Sequence, residues 1–501
     1  MDVFLFMHQQ FSLWPSPRKL ATFSFVAFVV CLVIVVPSGF VNAKYVVSNL
    51  SNSLGHSLNQ RIIQSNGYTY FVWTDTGDQS NDTGQIYFRT SNDNGIRFSE
   101  TSILSNVTAD SNLPDISATG NNVYVTWEDD SSENSRILFR GSHNNGRGFD
   151  KIVNISNGTI GSSLQNIASY KNFVYIVWVG SKPEDPKNFE VFLRKSNDYG
   201  RNFGPIIDLS KSAGDSIDPH IVVPRDGQNV YVTYTDCEAV HDDPLCGIYF
   251  IKSSDSGIRF GSPTLISIVP STNPNLPSLG YPHPPLNSSL LPASGMNTSK
   301  QIDEHNSIIP VITSSEDGKD VYILWQDDLT KTGATDIFLR KSNDYGNTFG
   351  HSINLSDTAG ISRLAQMVVL GGNLYVVWSD TNMTFAQFDI FFTKISDHGN
   401  NLGKTINLSN STTNSAPSDI GAVNNTNRIY VAWTEATVNK NNIFMTRSAD
   451  NGDTFDKPIK LIYNDSLNPE LIHISNENST GLSWTEYGNQ TEDLYFANIL
   501  E

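Results

Sequence analysis

"FLRKSNDYGRNFG" runs from Phe192 to Gly204, and "FLRKSNDYGNTFG" runs from Phe338 to Gly350. A chain that spells one phrase twice is built from repeats, so self-similarity is mapped before any motif is read. Looser copies begin at Ser91 ("SNDNGIRF"), Ser142 ("SHNNGRGF"), Ser253 ("SSDSGIRF"), Ile395 ("ISDHGNNL") and Ser448 ("SADNGDTF"). With the opening pair, starting at Ser196 and Ser342, they make seven copies of S-x-D-x-G-x-x-F. The acid position is filled by Asp93, Asn144, Asp198, Asp255, Asp344, Asp397 and Asp450. Asn144 departs from the pattern, and Ile395 and Leu402 degrade the sixth copy.

Each copy follows two strand-like segments. The first is apolar and ends in Trp plus an acid, as in "YFVWTD" to Asp75, "VYVTWED" to Asp129, "VYILWQD" to Asp327 and "LYVVWSD" to Asp380. The second is of the kind "QIYFRTS" or "VFLRKS". Alternating β-branched and aromatic residues between Gly, Asn and Asp predict strands and tight turns, and no helical period competes. A short strand such as "IIDLS" or "TINLS" follows the box, and a loop then leads into "SNLPDIS" or "SLNPELI".

The Trp position falls at 73, 127, 178, 325, 378, 433 and 484, with Tyr234 in the remaining unit. A four-stranded unit at this period is a propeller blade, since both of its apolar faces need neighbours. The last unit stops at "LYFANILE" without a box, while "KYVVSNLS" near the N-terminus reads as an orphan fourth strand. Joined, they close a ring and remove its edges. The expected fold is an all-β propeller of four-stranded antiparallel blades, eight by this count, with seven as the alternative. The box itself reads as a folded hairpin turn: Ser and Asp bond to the turn backbone, and Gly supplies positive φ. Cations just ahead of it (Arg89, Arg140, Arg194, Arg340, Lys394, Arg447) read as scaffold by their recurrence.

Residues 1–43 stand apart from the repeats. Arg18 and Lys19, the apolar run "LATFSFVAFVVCLVIVV" and "VNA" ending at Ala43 have the order of a secretory signal, or of a signal anchor if uncleaved. The propeller then fills 44–501, with a proline-rich loop insertion at about 269–305. In an oxidising compartment Cys237 and Cys246 are expected to form one disulfide. Asn-x-Ser/Thr sequons, among them Asn49, Asn81, Asn106, Asn154, Asn157, Asn354, Asn407 and Asn489, suit an extracellular glycoprotein. The net charge of −18 argues against nucleic acid and anionic membrane as partners. Nothing calls for a partner subunit, and a monomer is expected.

S-x-D-x-G-x-x-F is the Asp-box, or BNR repeat, and residues 44–501 resemble the sialidase-like superfamily of Asp-box β-propellers. That resemblance implies that the boxes lie away from the functional face. The face is then built by loops entering the first strand and leaving the second of each blade. Members include sialidases, other glycosidases and non-catalytic binding proteins. A sialidase needs an Arg cluster for the sugar carboxylate, a carboxylate-activated Tyr and an acid–base Asp. The nearest match is "QRII", where Arg61 resembles the R-I-P segment of sialidases but Ile63 stands in place of Pro. The equivalent positions are Asp115, Asn166, His220, Val311, Gln366, Asp419 and Glu470, none of them Arg.

The resemblance therefore implies two readings. The first is a secreted or cell-surface binding protein that engages an extracellular glycan, protein or cation through an acidic face. That face would comprise Asp115, Asp129, His220, Asp327, Asp380, Asp419, Glu435 and Glu470, and calcium is the metal it could take. The second is a sialidase-like exo-glycosidase using Arg61, Asp115, Glu486 and Tyr487, although adjacent residues 486 and 487 point to opposite faces of a strand. "HDDP" after Cys237 supplies His241, Asp242 and Asp243 as weak metal candidates without diagnostic spacing.

Overall fold

The computed structural model describes residues 45–77, 83–105, 110–130, 134–240, 243–267, 306–330, 334–381, 387–423, 426–437, 440–462, 465–474, 479–488 and 491–499. The signal segment, the proline-rich insertion, His241, Asp242, Asn81, Asn106 and Asn489 lie outside the described residues.

Every regular element among the described residues is a strand, and the strands form eight separate antiparallel sheets. Blade 1 contains Ser57–Ser65, Tyr68–Asp75, Gln85–Ser91 and Ser102–Ile103, in that order from the inside outwards. Blades 2 to 7 repeat this order, except that in blade 6 both Asn401–Leu402 and Ile406–Asn407 pair with the third strand. Blade 8 takes three strands from the C-terminal end, Ser466–Ile474, Ser479–Tyr487 and Glu492–Ile499, and its outer strand from the N-terminal side, Tyr45–Asn49. The closing pair runs antiparallel from Tyr45 opposite Ile499 to Asn49 opposite Tyr495. This is the eight-bladed propeller that the repeat count implied.

The core lies between blades. Trp127 of blade 2 packs on Tyr70, Val72 and Phe88 of blade 1, and Trp178 packs on Tyr124 and Phe139 of blade 2. Around the seam, Trp73 meets Leu494 and Phe496 of blade 8. Burying one such indole removes some 150–250 Å² from water, or about 4–6 kcal/mol of transfer free energy at most. A blade lacking one neighbour would forfeit that sum and expose an apolar sheet, so the ring is stable only when complete.

The thirteen-residue phrase divides its side chains between three blades. Phe192 stacks on Trp178 and Phe338 on Trp325 within their own sheets, at 5.8 and 5.7 Å. Arg194 Nη1 donates backwards to the Ile155 carbonyl of the preceding blade at 3.0 Å, and Arg340 Nη1 does the same to Ile266 at 2.9 Å. Lys195 reaches forwards to the Ser256 carbonyl in the next box, and Lys341 to His398 and Asn400 in its own next box. The final aromatics Phe203 and Phe349 stand edge-on to Phe139 and Phe250 of the preceding blades, each at 5.0 Å.

Within the box, Ser342 Oγ donates to Asp344 Oδ1 at 2.7 Å and accepts the Gly346 N–H at 2.9 Å. Asp344 Oδ1 also accepts the Thr348 N–H at 2.9 Å. The same bonds recur in the other boxes, and in one the Arg259 N–H, with Ser253 and the Arg259 guanidinium, pulls the Asp255 carboxyl down to about 2. Asn144 makes them through its amide oxygen. The sixth box is different. Ile395 has no hydroxyl to receive the Gly399 N–H, and Asp397, at φ 55°, joins His398 in the left-handed region that the other boxes reserve for the residue before Gly. Residues 401–402 pair back on Ile395–Ser396, and His398 Nδ1 bonds Asp320 at 2.6 Å. Asp397 is therefore not a box acid in the sense of the others, which corrects that expectation.

Two outcomes test this account. Gly346 has φ 69°, and a Cβ there would lie 2.7 Å from the Phe250 ring; Gly346→Ala should cost about 1–3 kcal/mol in denaturant titration. Deleting Tyr45–Asn49 strips the outer strand from blade 8, and should broaden the thermal transition and drive association in size-exclusion chromatography.

Candidate functional site

The inner strands share a device that sets the site. Each carries a Ser four residues ahead of its central position: Ser57, Ser111, Ser162, Ser216, Ser307, Ser362, Ser415 and Ser466. These serines are at most 1% exposed. In seven blades the Ser stands opposite the acid that ends the second strand, from Ser57 with Asp75 to Ser466 with Glu486. Blade 3 has Gly180 facing Ser162 instead. Ser57 Oγ donates to Asp75 Oδ2 at 2.6 Å, Ser216 to Asp236 at 2.7 Å and Ser362 to Asp380 at 2.6 Å. Trp73 and Trp325 add their indole N–H to Asp75 and Asp327, at 3.1 and 3.0 Å.

This places several predicted binding residues beneath the surface. Asp129, Asp327 and Asp380 are 1%, 0% and 1% exposed, and their carboxylates hold Arg136, Ser307 and Ser362 respectively. They cap strands from the inside, so they do not line the solvent face expected of them. Glu435, half-buried, accepts from Ser411 and Thr413 at 2.7 and 3.0 Å. The spacing S-x-x-x before each central residue was the available signal, and it was missed because Ser also fills the turns.

Between the Ser and the central residue the strand pairing slips by a bulge in every blade. Asn59, Leu113, Leu164, Asp218, Ile309, Leu364 and Asn468 take up the extra length at φ 50–55°. Such a bulge re-aims the side chains that follow. The residues so set, Arg61, Asp115, Asn166, His220, Val311, Gln366, Asp419 and Glu470, occupy one equivalent register in the eight blades, as their sequence equivalence implied. They line the axial channel. Arg61 of blade 1 acts electrostatically on His220, Asp419 and Glu470 of blades 4, 7 and 8, which places them around one shared space.

The ring also stitches neighbours together. Glu470 Oε1 accepts the Ile62 N–H across the closing seam at 3.1 Å. Asp115 Oδ2 accepts from Ile167 at 2.9 Å, Asn166 Oδ1 from Ile221 at 2.9 Å, and Asp419 Oδ2 from Leu471 at 2.7 Å. Asp115, Asn166, His220, Val311, Asp419 and Glu470 are partly buried, while Arg61 and Gln366 are exposed. Burial pushes the Glu470 carboxyl up to about 8 against the pull of Arg61, and Asp419 up to about 6. It raises Asp115 too, again opposed by Arg61, and pushes His220 down to about 4. Burial thus works against the charged form of every titratable neighbour of Arg61 at this register, and at neutral pH Glu470 is protonated and His220 neutral.

Arg61 is 55% exposed at its side chain, with its Nε 4.0 Å from Asp115 Oδ1 and its Nη1 donating to the Gln60 carbonyl at 3.1 Å. Glu486 and Tyr487 are not brought to this ring: they end the second strand of blade 8, opposite Ser466 and Glu492 respectively. Burial, then Glu492 and Asp465, push the Tyr487 phenol up to about 12, the reverse of an activated nucleophile. Cys237 and Cys246 are bonded directly across a hairpin of blade 4, with Cα atoms 4.0 Å apart. Asp243 lies on that hairpin, whose tip is outside the described residues. Among the described residues no group of three or more His, Cys, Asp or Glu side chains could hold a metal ion.

These features define a closed eight-bladed propeller with a mixed acid–Arg ring at its axis. No family model matches the chain, and no curated protein matches it. Among solved structures it is similar to a Trypanosoma rangeli sialidase in complex with 2,3-difluorosialic acid, at 12% identity and a TM-score of 0.36, over 67% of this chain and 53% of the sialidase. It is also similar to a Penicillium chrysogenum α-L-arabinanase complexed with arabinobiose, at 13% identity and TM-score 0.38, over 73% and 97% of the two chains. A Fusarium graminearum α-L-arabinofuranosidase in complex with an iminosugar inhibitor gives 12% and 0.39, over 71% and 94%.

The ring makes stability depend on pH with a definite sign. Glu470 is protonated in the folded ring up to about 8 but ionises near 4.5 when exposed. Folding then takes up a proton throughout that window, so the contribution of Glu470 falls as pH rises and levels off above it. Glu470→Gln removes this slope. Its melting temperature relative to the parent should rise by a few degrees between acid and alkaline pH in scanning calorimetry.

Proposed function

We propose that this is a secreted or cell-surface propeller that binds a neutral or cationic extracellular ligand, a glycan presented through its hydroxyls, at the channel mouth without turning it over. The observation that carries the reading is the charge balance around Arg61. Three acids, Asp115, Asp419 and Glu470, share the register with this single cation. An anionic sugar would bring a further acidic group to a register that offers only one guanidinium, and is disfavoured there. Neutral hydroxyls can instead donate to the carboxylates and accept from Arg61 and the protonated Glu470.

One observation favours a glycoside hydrolase as the second reading. Glu470 is pushed up to about 8 while Asp419 at the same register reaches only about 6, and environments that push two carboxyl groups apart supply an acid and a base. The two readings separate on turnover. Purified protein should release nothing from fluorogenic sialosides, while retaining neutral glycans on an array read with and without calcium. Release of sugar that Arg61→Ala abolishes would sink the binding reading. Turnover of a neutral glycoside that Glu470→Gln stops would establish the second.

A further inference from the structure

The repeats place equivalent side chains at equivalent azimuths, so departures from the pattern carry information. Within two residues after the box Gly, four consecutive blades carry Arg: Arg147 and Arg201 directly after it, and Arg97 and Arg259 one place further on. Blades 5 to 7 carry no cation at either place, with Asn347 and Thr348, Asn400 and Asn401, and Asp453 and Thr454. In a chain of net charge −18 this is an arc of cations on the box face, away from the ring.

The outer members of the arc are neutralised. Arg97 and Arg259 fold back on their own box acids, Asp93 at 2.7 Å and Asp255 at 3.0 Å. The inner two are not. In blade 3, Asn202 takes the place of that guanidinium, its Nδ2 donating to Asp198 Oδ2 at 2.7 Å, and Arg201 lies over the Tyr199 ring at 5.7 Å. In blade 2 the box acid itself is missing. Asn144 keeps the two turn bonds, accepting from Ser142 at 2.9 Å and from the Gly148 N–H at 3.0 Å, but brings no charge to offset Arg147. Lys151 follows on the same blade. Arg147 donates to the Tyr68 hydroxyl at 3.3 Å and Arg201 to the Asp198 carbonyl at 3.1 Å, both uncharged acceptors, and Arg147, Lys151 and Arg201 are all exposed.

Between these two blades lies a cleft of about 280 Å³, walled by Lys151, Arg201 and Asp150 over a floor of Phe139, Val153 and Gly200. Asp150 is occupied by His143 Nε2 at 2.9 Å. Next to Gly200, Tyr199 takes the left-handed turn position common to all the boxes, at φ 64°, and leaves 41% of its surface exposed.

We propose that this cleft is a binding site for an acidic polysaccharide, one bearing sulfate or carboxylate groups, distinct from the axial ring and facing the other way. The cavity admits about one ring-sized unit. Arg201 offers a planar fork to a sulfate or carboxylate and Lys151 a second charge. Tyr199 offers an aromatic face to the sugar, and Arg147 extends the track towards blade 1. A cleft between blades suits a chain of separate acidic units better than a flat anionic surface.

The test uses the whole propeller. Size-defined heparin and polyuronate oligosaccharides are titrated by calorimetry at low and high salt, beside neutral dextran oligosaccharides, polyglutamate and phosphatidylserine vesicles. Acidic oligosaccharides should bind with an affinity that falls as salt rises, and dextran should not bind. Lys151→Gln with Arg201→Gln should weaken binding about tenfold. Asn144→Asp, which installs the usual box residue and keeps the same turn bonds, should weaken it several-fold with the melting temperature unchanged. The proposal is overturned if neither acidic oligosaccharide binds at low salt, if the double variant binds as tightly as the parent, or if only polyglutamate or vesicles bind.

Discussion

The structure depends on a sheet that cannot bury itself. Each four-stranded blade has two apolar faces, and no blade has a partner within its own stretch of chain. Trp73, Trp127 and Trp178 all find their core in the preceding blade, and for Trp73 that blade is the last one. The demand propagates round the ring until the N-terminal strand Tyr45–Asn49 meets Glu492–Ile499 and leaves no face over. Closure is the condition under which the other contacts can exist.

Closure also explains how the molecule divides its side chains. Features present in nearly every blade serve the ring: the buried Ser on the inner strand, the acid it bonds, the box and the Arg that reaches back. Features that change from blade to blade are free of that duty. The axial register carries Arg, Asp, Asn, His, Val, Gln, Asp and Glu in turn. Its neighbours four residues away are Ser eight times. Chemistry is therefore sought where the repeat fails to repeat, and both sites proposed above were found in that way.

The sequence made the fold legible because the period is long, the copies are numerous and the signal is backbone-driven. Gly at positive φ and alternating apolar residues have few other uses. The central positions, Arg61 to Glu470, were legible for the same reason. What failed was the sense in which an acid faces. "VYILWQD" places Asp327 at a strand end, yet only the structure reveals that Ser307 and the Trp325 indole turn it inward. The sequons share this ambiguity. Ser356 and Ser409 of "NLS" donate to Asp336 and Asp389 and accept the N–H of Ile337 and Ile390, so a sequence that spells a glycosylation signal also spells a strand clamp. A net charge has no location either, and −18 overall conceals the two exposed cations, Lys151 and Arg201, that line one inter-blade cleft.

Asn144 shows why the distinction between scaffold and site cannot be drawn by motif alone. As a box residue it looks degraded, an amide where six other copies have an acid. Its oxygen nevertheless holds Ser142 and the Gly148 N–H at the distances found in intact boxes, so the turn has lost nothing. What changed is the field around Arg147. The sixth box is the contrast: loss of the Ser hydroxyl at Ile395 altered the turn itself, and His398 and Asp320 had to rebuild the contact. One substitution spares geometry and changes charge, while the other changes geometry. In a repeat protein only the first kind leaves the scaffold free to present something new.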